Sequence, residues 1–233
     1  MGSMNILLLG RGKTGALVEE TARQRGHQVH VAGAAENAGS AAVAREKLSG
    51  IDMVIDFTSP ACIVDNIEAC VNAGKCMVVG TTGWHSDLDR VRKLVESRGT
   101  GLVYAANFSI GVNLFLDVVR AAAAALGQEY TGQIFERHHV EKKDAPSGTA
   151  LAIQRVIRDA SGKGADKALE ITSFREGDVV GMHEVVLESA ADRIYLCHDA
   201  KSRRGFAEGA VRAAEWLLGK SGFYDFKEVW REL

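Results

Sequence analysis

A chain of 233 residues, 46% of them hydrophobic, is long enough to bury one large core or two modest ones. Its 28 basic and 30 acidic residues leave a formal charge of -2, which excludes a general basic field for nucleic acid, so any anion site must be local. Cys62, Cys70, Cys76 and Cys197 form no Cys-x-x-Cys motif and read as reduced packing residues, with no metal site expected. No apolar run is expected to reach membrane-spanning length and no signal-peptide pattern opens the chain, so a soluble cytoplasmic protein without membrane partners is expected. Met1-Gly2-Ser3 ahead of Met4 reads as an appended tag.

Met4 to Leu9 is continuously apolar, the pattern of a strand covered on both faces. Gly10-Arg11-Gly12-Lys13-Thr14-Gly15 then opens a helical segment through Arg25, and a second strand is expected at Gln28 to Ala32. Strand, glycine turn and helix in this order suit a dinucleotide: Gly10 for a tight turn, Gly12 for close approach of a pyrophosphate, Gly15 for packing of helix on strand. Beyond the second strand Glu36 is the nearby acidic candidate for a ribose, slightly late in spacing, with solvent as its alternative partner. Arg11 and Lys13 are alternative partners for a 2′-phosphate. NADH or NADPH therefore both remain open, with a slight lean to NADH because Asn37 supplies no cation.

Met53 to Phe57, Cys76 to Val79 and Leu102 to Ala105 read as three further strands, with a helix over Ala61 to Asn72 and helix-length segments between the others. Such alternation builds a doubly wound parallel sheet, whose ligands lie beyond the carboxyl ends of the strands. Phe57, Gly80-Thr81-Thr82 and Ala105-Ala106-Asn107-Phe108 stand at those ends and are expected to line one cofactor groove.

From Ile110 the pattern changes. A long alanine-rich helix is expected over Gly111 to Leu126, a strand over Thr131 to Phe135, and a helix ending near Asp159, followed by the glycine-rich loop Ser161-Gly162-Lys163-Gly164. Strand-like runs at Leu169 to Arg175, Gly181 to Glu188 and Asp192 to Cys197 lack intervening helices, which predicts a second α+β domain on an antiparallel or mixed sheet whose broad face could serve as an oligomer interface, the alternative being a monomer whose sheet is covered by its own helices. An amphipathic helix, Ala207 to Leu218, precedes a tail containing Tyr224-Asp225-Phe226.

The most informative stretch joins the strand at Thr131 to the helix after it: Glu136-Arg137-His138-His139-Val140-Glu141-Lys142-Lys143-Asp144-Ala145-Pro146-Ser147-Gly148-Thr149-Ala150. Pro146, Ser147, Gly148 and Thr149 suit a helix start, where backbone N–H groups without intrahelical partners carry the positive end of the dipole. That end holds carboxylates or phosphates. With His138, His139 and Lys142 just upstream, a small dicarboxylate is a plausible guest. A solvated loop ahead of a capped helix is the plainer alternative.

This block closely resembles the signature of the 4-hydroxy-tetrahydrodipicolinate (dihydrodipicolinate) reductase family. Similar landmarks follow in family order at the glycine turn, Asp56-Phe57-Thr58, Gly80-Thr81-Thr82-Gly83, Ala105 to Ser109, Gly111-Val112-Asn113, Arg175-Glu176-Gly177-Asp178 and Phe206-Ala207-Glu208-Gly209-Ala210. The resemblance implies a Rossmann-type dinucleotide domain over residues 4–108, a substrate-binding and oligomerisation domain over 109–206, and a C-terminal helix and tail, 207–233, returning to the first. It also implies a homotetramer that reduces a cyclic imine dicarboxylate to tetrahydrodipicolinate in lysine and diaminopimelate biosynthesis. His138 and Lys142 would be the candidates for proton donation; His139, Lys142, Ser147, Gly148 and Thr149 would bind the substrate. Closure of the two domains would expel water before hydride transfer. His183 and His198 lie in strand-like runs and read as packed or surface residues rather than catalytic ones. Two departures from the family stand out: a short interval over Gly33 to Gly50, and Met182 before His183. A different two-domain dehydrogenase and a nucleotide-sensing binding protein are the rival readings.

Overall fold

The structure is a computed structural model that describes residues 2–161 and 169–233. It divides into two compact units, residues 1–110 with 204–233 and residues 111–203.

The first unit is a six-stranded sheet in the order β10-β5-β4-β3-β1-β2, where β1 is Asn5–Leu9, β2 Gln28–Ala32, β3 Met53–Asp56, β4 Cys76–Val79, β5 Gly101–Tyr104 and β10 Gly222–Asp225. Each neighbouring pair is parallel. A parallel sheet is covered on both faces, and β3, with Met53 to Asp56 all buried, has the continuous burial this requires. On one face α1 (Lys13–Gln24) and α6 (Arg204–Leu217) bury Val18, Ala22, Ala210 and Ala214 against Ile6, Leu8 and Ile55. On the other, α2 (Ile63–Asn72) and α3 (Leu88–Arg98) bury Ile67, Cys70, Val91 and Val95 against Leu7, Leu9 and Val54. The sheet order reverses between β1 and β3, the switch point where such folds take ligands.

In this unit two elements differ from expectation. The C-terminal helix begins at Arg204 rather than Ala207, its first turn braced by Arg204 Nε donating to Glu208 Oε1 at 3.1 Å, an i,i+4 pair. The tail contains β10, which adds to β5 and buries Phe223 beside Tyr104, ring centroids 5.0 Å apart.

The second unit is a four-stranded mixed sheet, β7-β6-β8-β9, made of β6 (Thr131–His138), β7 (Glu170–Arg175), β8 (Met182–Glu188) and β9 (Arg193–Asp199). One face is covered by α4 (Ile110–Ala122) and α5 (Gly148–Ala160), where Phe115, Val119, Ile153 and Ile157 meet Ile134, Val185 and Leu187. The opposite face leaves Phe174 and Tyr195 exposed beside Phe135, Val186 and the charged Arg137, Glu184 and Arg193. β6 runs three residues beyond the expected Phe135, so Glu136, Arg137 and His138 are strand residues. Gly162 to Gly164 of the expected glycine-rich loop lie outside the described residues.

Two further expectations need correction. Ile110–Gly127, with mean hydropathy 1.6, is long and apolar enough by length and composition to cross a membrane, although part of its apolar surface packs in the second unit's core. Of the cysteines only Cys70 is a fully buried packing residue; Cys62 and Cys76 are half-buried, and Cys197 is exposed because β9 is an edge strand.

Candidate active site

Strand alternation builds the centre of the second unit's site. On β6, Ile134, Glu136 and His138 point to the helix-covered face and are buried, while Gln133, Phe135 and Arg137 point away. Register sets Glu136 opposite His183 on β8 and opposite Ser173 on β7, with Arg175 paired to His138. One carboxylate thus sits among two imidazoles, a hydroxyl and a guanidinium. Glu136 Oε1 accepts from Ser173 Oγ at 2.7 Å and Arg175 Nη2 at 3.3 Å, and both oxygens accept from the Ser147 N–H at 3.1 Å. Burial works to raise its pKa, but hydrogen bonds from Ser147 and Ser173 and the nearby His138 outweigh that and hold the carboxyl below its usual range.

Ser147 is the N-cap of α5. Its Oγ accepts from the Ala150 N–H at 3.2 Å and contacts His183 Nε2 at 3.1 Å. Both its hydrogen-bonding groups face inward, and the residue is almost wholly buried. Gly148 and Thr149 form the first turn of α5, whose N-terminal end carries the positive end of the helix dipole. Upstream, Lys142 Nζ donates to Asp144 Oδ1 and Oδ2 at 2.8 and 2.9 Å, which lowers the Asp144 pKa. Arg175 ties down this loop by donating from Nε to the Lys142 carbonyl at 3.2 Å and from Nη2 to the Asp144 carbonyl. His139 Nε2 is 3.0 Å from Arg203 Nη2; since a guanidinium only donates, that nitrogen is the acceptor.

His138 is buried, with Nδ1 3.6 Å from Glu136 Oε2 and its ring edge-on to His183, centroids 5.1 Å apart. Burial lowers its pKa and Glu136 opposes that shift. His183 is pushed down to about 4 by burial, reinforced by the neighbouring His138. Glu136, His138 and His183 each bring a potential ligand atom within 4.8 Å of the others. The guanidinium of Arg175 on the same carboxylate opposes a cation there, and the donors around Glu136 make the cluster a hydrogen-bonded network.

The first unit presents the glycine turn. Gly10 has φ +102° and a side chain there would stand 2.3 Å from the Phe57 carbonyl; one at Gly15 would stand 2.2 Å from the Gly10 carbonyl. Gly12, at the N-cap of α1, has nothing within 4 Å, leaving its backbone approachable. Arg11, Gly12 and Lys13 are exposed and Thr14 is half-buried. Glu36 Oε2 accepts from the Gly33 N–H at 2.9 Å, and Oε1 lies 3.6 Å from Arg11 Nη1, so the acidic and basic candidates for the ribose region pair with each other.

At the end of β3 Asp56, wholly buried, accepts from the Thr58 N–H and Oγ1, Thr81 Oγ1 and Asn66 Nδ2 at 2.7 to 2.9 Å, and burial raises its pKa. Asn66 in turn accepts from Asn37 Nδ2 at 3.0 Å. This chain ties the ends of β3 and β4 to the loop after β2. Gly80 packs against the Phe57 ring, and Thr82, Ala105 and Ala106 reach the surface in differing degree. Asn107 Oδ1 accepts from the Ser109 N–H at 2.9 Å. Phe108, expected at the cofactor groove, is buried in the core with its ring against Phe226.

Sequence reasoning did not single out Glu136, Arg175 or Arg203, while His183, expected as a packed residue, is buried as expected. The signal was present for Glu136: it sits two residues from both Ile134 and His138, in phase with the buried side of a strand. His183 and Arg203 are brought in by non-local pairing, which spacing does not reveal.

The chain also resembles proteins of known family. Residues 4–108 match the family model described as dihydrodipicolinate reductase, N-terminus, and residues 111–230 the one described as dihydrodipicolinate reductase, C-terminus. The 4-hydroxy-tetrahydrodipicolinate reductase of Christiangramia forsetii is 36% identical over 99% of both chains. That of Pseudomonas fluorescens is 42% identical over 76% of this chain and 72% of its own. Among solved structures, the dipicolinate-bound dihydrodipicolinate reductase of Paenisporosarcina sp. TG-14 superposes with a TM-score of 0.80 at 22% identity, covering 98% of this chain and all of that one.

Proposed function

The chain belongs to the dihydrodipicolinate reductase family, and on that footing we propose that it reduces 4-hydroxy-tetrahydrodipicolinate (dihydrodipicolinate) to tetrahydrodipicolinate in lysine and diaminopimelate biosynthesis. The observation that carries the reading is the buried imidazole of His138 set beside the capped start of α5 and a Lys142–Asp144 pair. A doubly negative ring needs fixed donors and cations, and a reduced imine nitrogen needs a proton.

In this reading the N–H groups of Gly148 and Thr149 hold one carboxylate, and His139, Lys142 and Arg203 supply donors and charge to the other. His138 delivers the proton: it is a buried imidazole whose cation is favoured, against burial, by the carboxylates of Glu136 and Asp144. Lys142, already paired with Asp144, serves chiefly as a fixed positive charge.

Gly10, Gly12 and Gly15 fit a pyrophosphate at the start of α1, since Gly10 and Gly15 let the turn and the helix pack closely against backbone carbonyls and Gly12 leaves the backbone open. The nicotinamide, when bound, supplies the hydride. Phe57, Gly80, Thr81, Thr82 and Ala105 to Phe108 shape the groove that holds it, and Glu36 favours an unphosphorylated ribose, hence NADH. The exposed sheet face bearing Phe174 and Tyr195 supports a homotetramer, and the family's biosynthetic role supports a cytoplasmic location.

The test generates the substrate in situ from pyruvate and aspartate semialdehyde with its synthase and follows loss of reduced-nicotinamide absorbance. Consumption is expected, faster with NADH than with NADPH. Nucleotide binding without consumption would replace this reading with a sensor, and turnover only with other imines would make it a different dehydrogenase.

A further inference from the structure

Glu136 has no assigned part in the chemistry above, yet it is the most highly connected buried charge of the second unit. It is wholly buried on a strand, an expensive place for a carboxylate unless partners compensate. Two of its contacts lead in different directions. Through the Ser147 N–H it holds the residue that caps α5. Through Oε2 it is the nearest carboxylate to His138 Nδ1, a buried nitrogen with no hydrogen-bond partner.

We propose that Glu136 is a positioning residue for the proton-transfer half of the reaction, setting the orientation and charge of the His138 ring on one side and the first turn of α5 on the other. The 3.6 Å gap to Nδ1 is too long for a hydrogen bond, but it is short for charge attraction. When His138 takes a proton, Nδ1 becomes a donor whose nearest acceptor is Glu136, and closing that gap turns Nε2 into the free acidic position. When Nε2 gives its proton to the substrate nitrogen, His138 returns to neutrality while Glu136 stays ionised throughout, held so by Ser147, Ser173 and Arg175. The other charges facing His138 are Lys142 and Arg175, which disfavour its cation, and Asp144, which favours it. From β8 the neutral His183 closes the ring's flank.

Gly181 gives independent geometric support. A side chain there would meet His138 Nε2 at 3.1 Å and Cδ2 at 3.3 Å, so the wall opposite Glu136 is kept bare where the imidazole lies.

The inference rests on the reductase reading for its kinetic arm only. In the full chain with labelled histidine, the NMR titration midpoint of His138 is expected to fall by about one unit in Glu136→Gln, roughly a tenfold smaller protonated fraction at fixed pH above the midpoint. Turnover at that pH is expected to fall about tenfold, the KM for reduced nucleotide to stay within about twofold of the parent value, and dipicolinate, a dicarboxylate probe, to bind about tenfold more weakly. A parent-like His138 midpoint together with parent-like turnover would overturn the proposal. If Glu136→Gln does not fold, Glu136→Asp, which withdraws the charge by one methylene, decides the matter: an intermediate drop in the midpoint supports the role and an unshifted midpoint rejects it. Should the parent consume no cofactor, the reductase reading fails, while the titration still tests the Glu136–His138 coupling.

Discussion

Glu136 and His183 are direct partners in the antiparallel register of β6 and β8, and their side chains meet on the buried face with Oε2 3.8 Å from Nε2. Burial nonetheless leaves His183 neutral under ordinary conditions, bringing its pKa down to about 4 against the opposing pull of Glu136. An unfolded histidine titrates near 6.5, so between those values the unfolded chain binds more protons than the folded one. Stability is therefore fully present above about pH 6.5 and is lost as pH falls toward 4, by about 2 kcal/mol at pH 5 from this group alone. Urea unfolding at pH 7.5 and pH 5 checks it: the parent should lose more stability across that interval than His183→Asn does, and equal losses would assign the effect elsewhere.

Gly181→Ala should act on chemistry rather than on nucleotide binding. The added methyl presses on His138 Nε2 and Cδ2. Misplacing a reacting group by a few tenths of an ångström is enough for about a tenfold drop in kcat. Parallel measurement of kcat and the Kd for NADH separates the two, and an unchanged kcat would mean that the ring relaxes without consequence.

Gly12 and Gly15 make a contrasting pair. A methyl at Gly12 meets nothing, so Gly12→Ala should fold as the parent does and bind reduced nucleotide about tenfold or more weakly, through lost backbone approach. A methyl at Gly15 stands 2.2 Å from a backbone carbonyl that cannot move without breaking the packing of α1 on β1. Gly15→Ala should therefore cost about 2 to 3 kcal/mol of stability. Thermal melts with and without NADH distinguish the two outcomes.

His138→Ala is expected to lower kcat by about a hundredfold or more with little change in nucleotide affinity, the scale of a lost general acid. Lys142→Ala should raise the KM for the dicarboxylate as well as lower kcat, because it removes a cation that Asp144 holds in place. Parent-like turnover in both variants would reject their roles.

The family was legible through the resemblance carried by the block from Glu136 to Ala150, and the parallel sheet and the second mixed sheet because each rests on local pattern: the apolar run at Met4 to Leu9, the glycines that follow it, and strands without intervening helices after Leu169. The start of α5 was legible for the same reason, since Ser147 caps a helix only three residues of its own chain away. Harder to see was the polar interior of the second unit. The strand at Thr131 seemed to stop at Phe135 because Glu136-Arg137-His138 is charged, whereas those residues continue the alternation, with Glu136 made tolerable by Ser147, Ser173 and Arg175 from other segments. β10 went unseen because a four-residue strand is specified mostly by the edge it joins, here β5.

The alternation along β6 carries one more consequence. Sliding this strand by a single position against β8 would turn Phe135 and Arg137 toward the helices and expel the imidazole and its carboxylate to the outside. Folding accuracy and chemical competence are thus the same requirement in this segment. A saturation library across 133–138 should show a sawtooth, with intolerance at every second codon and broad acceptance between them.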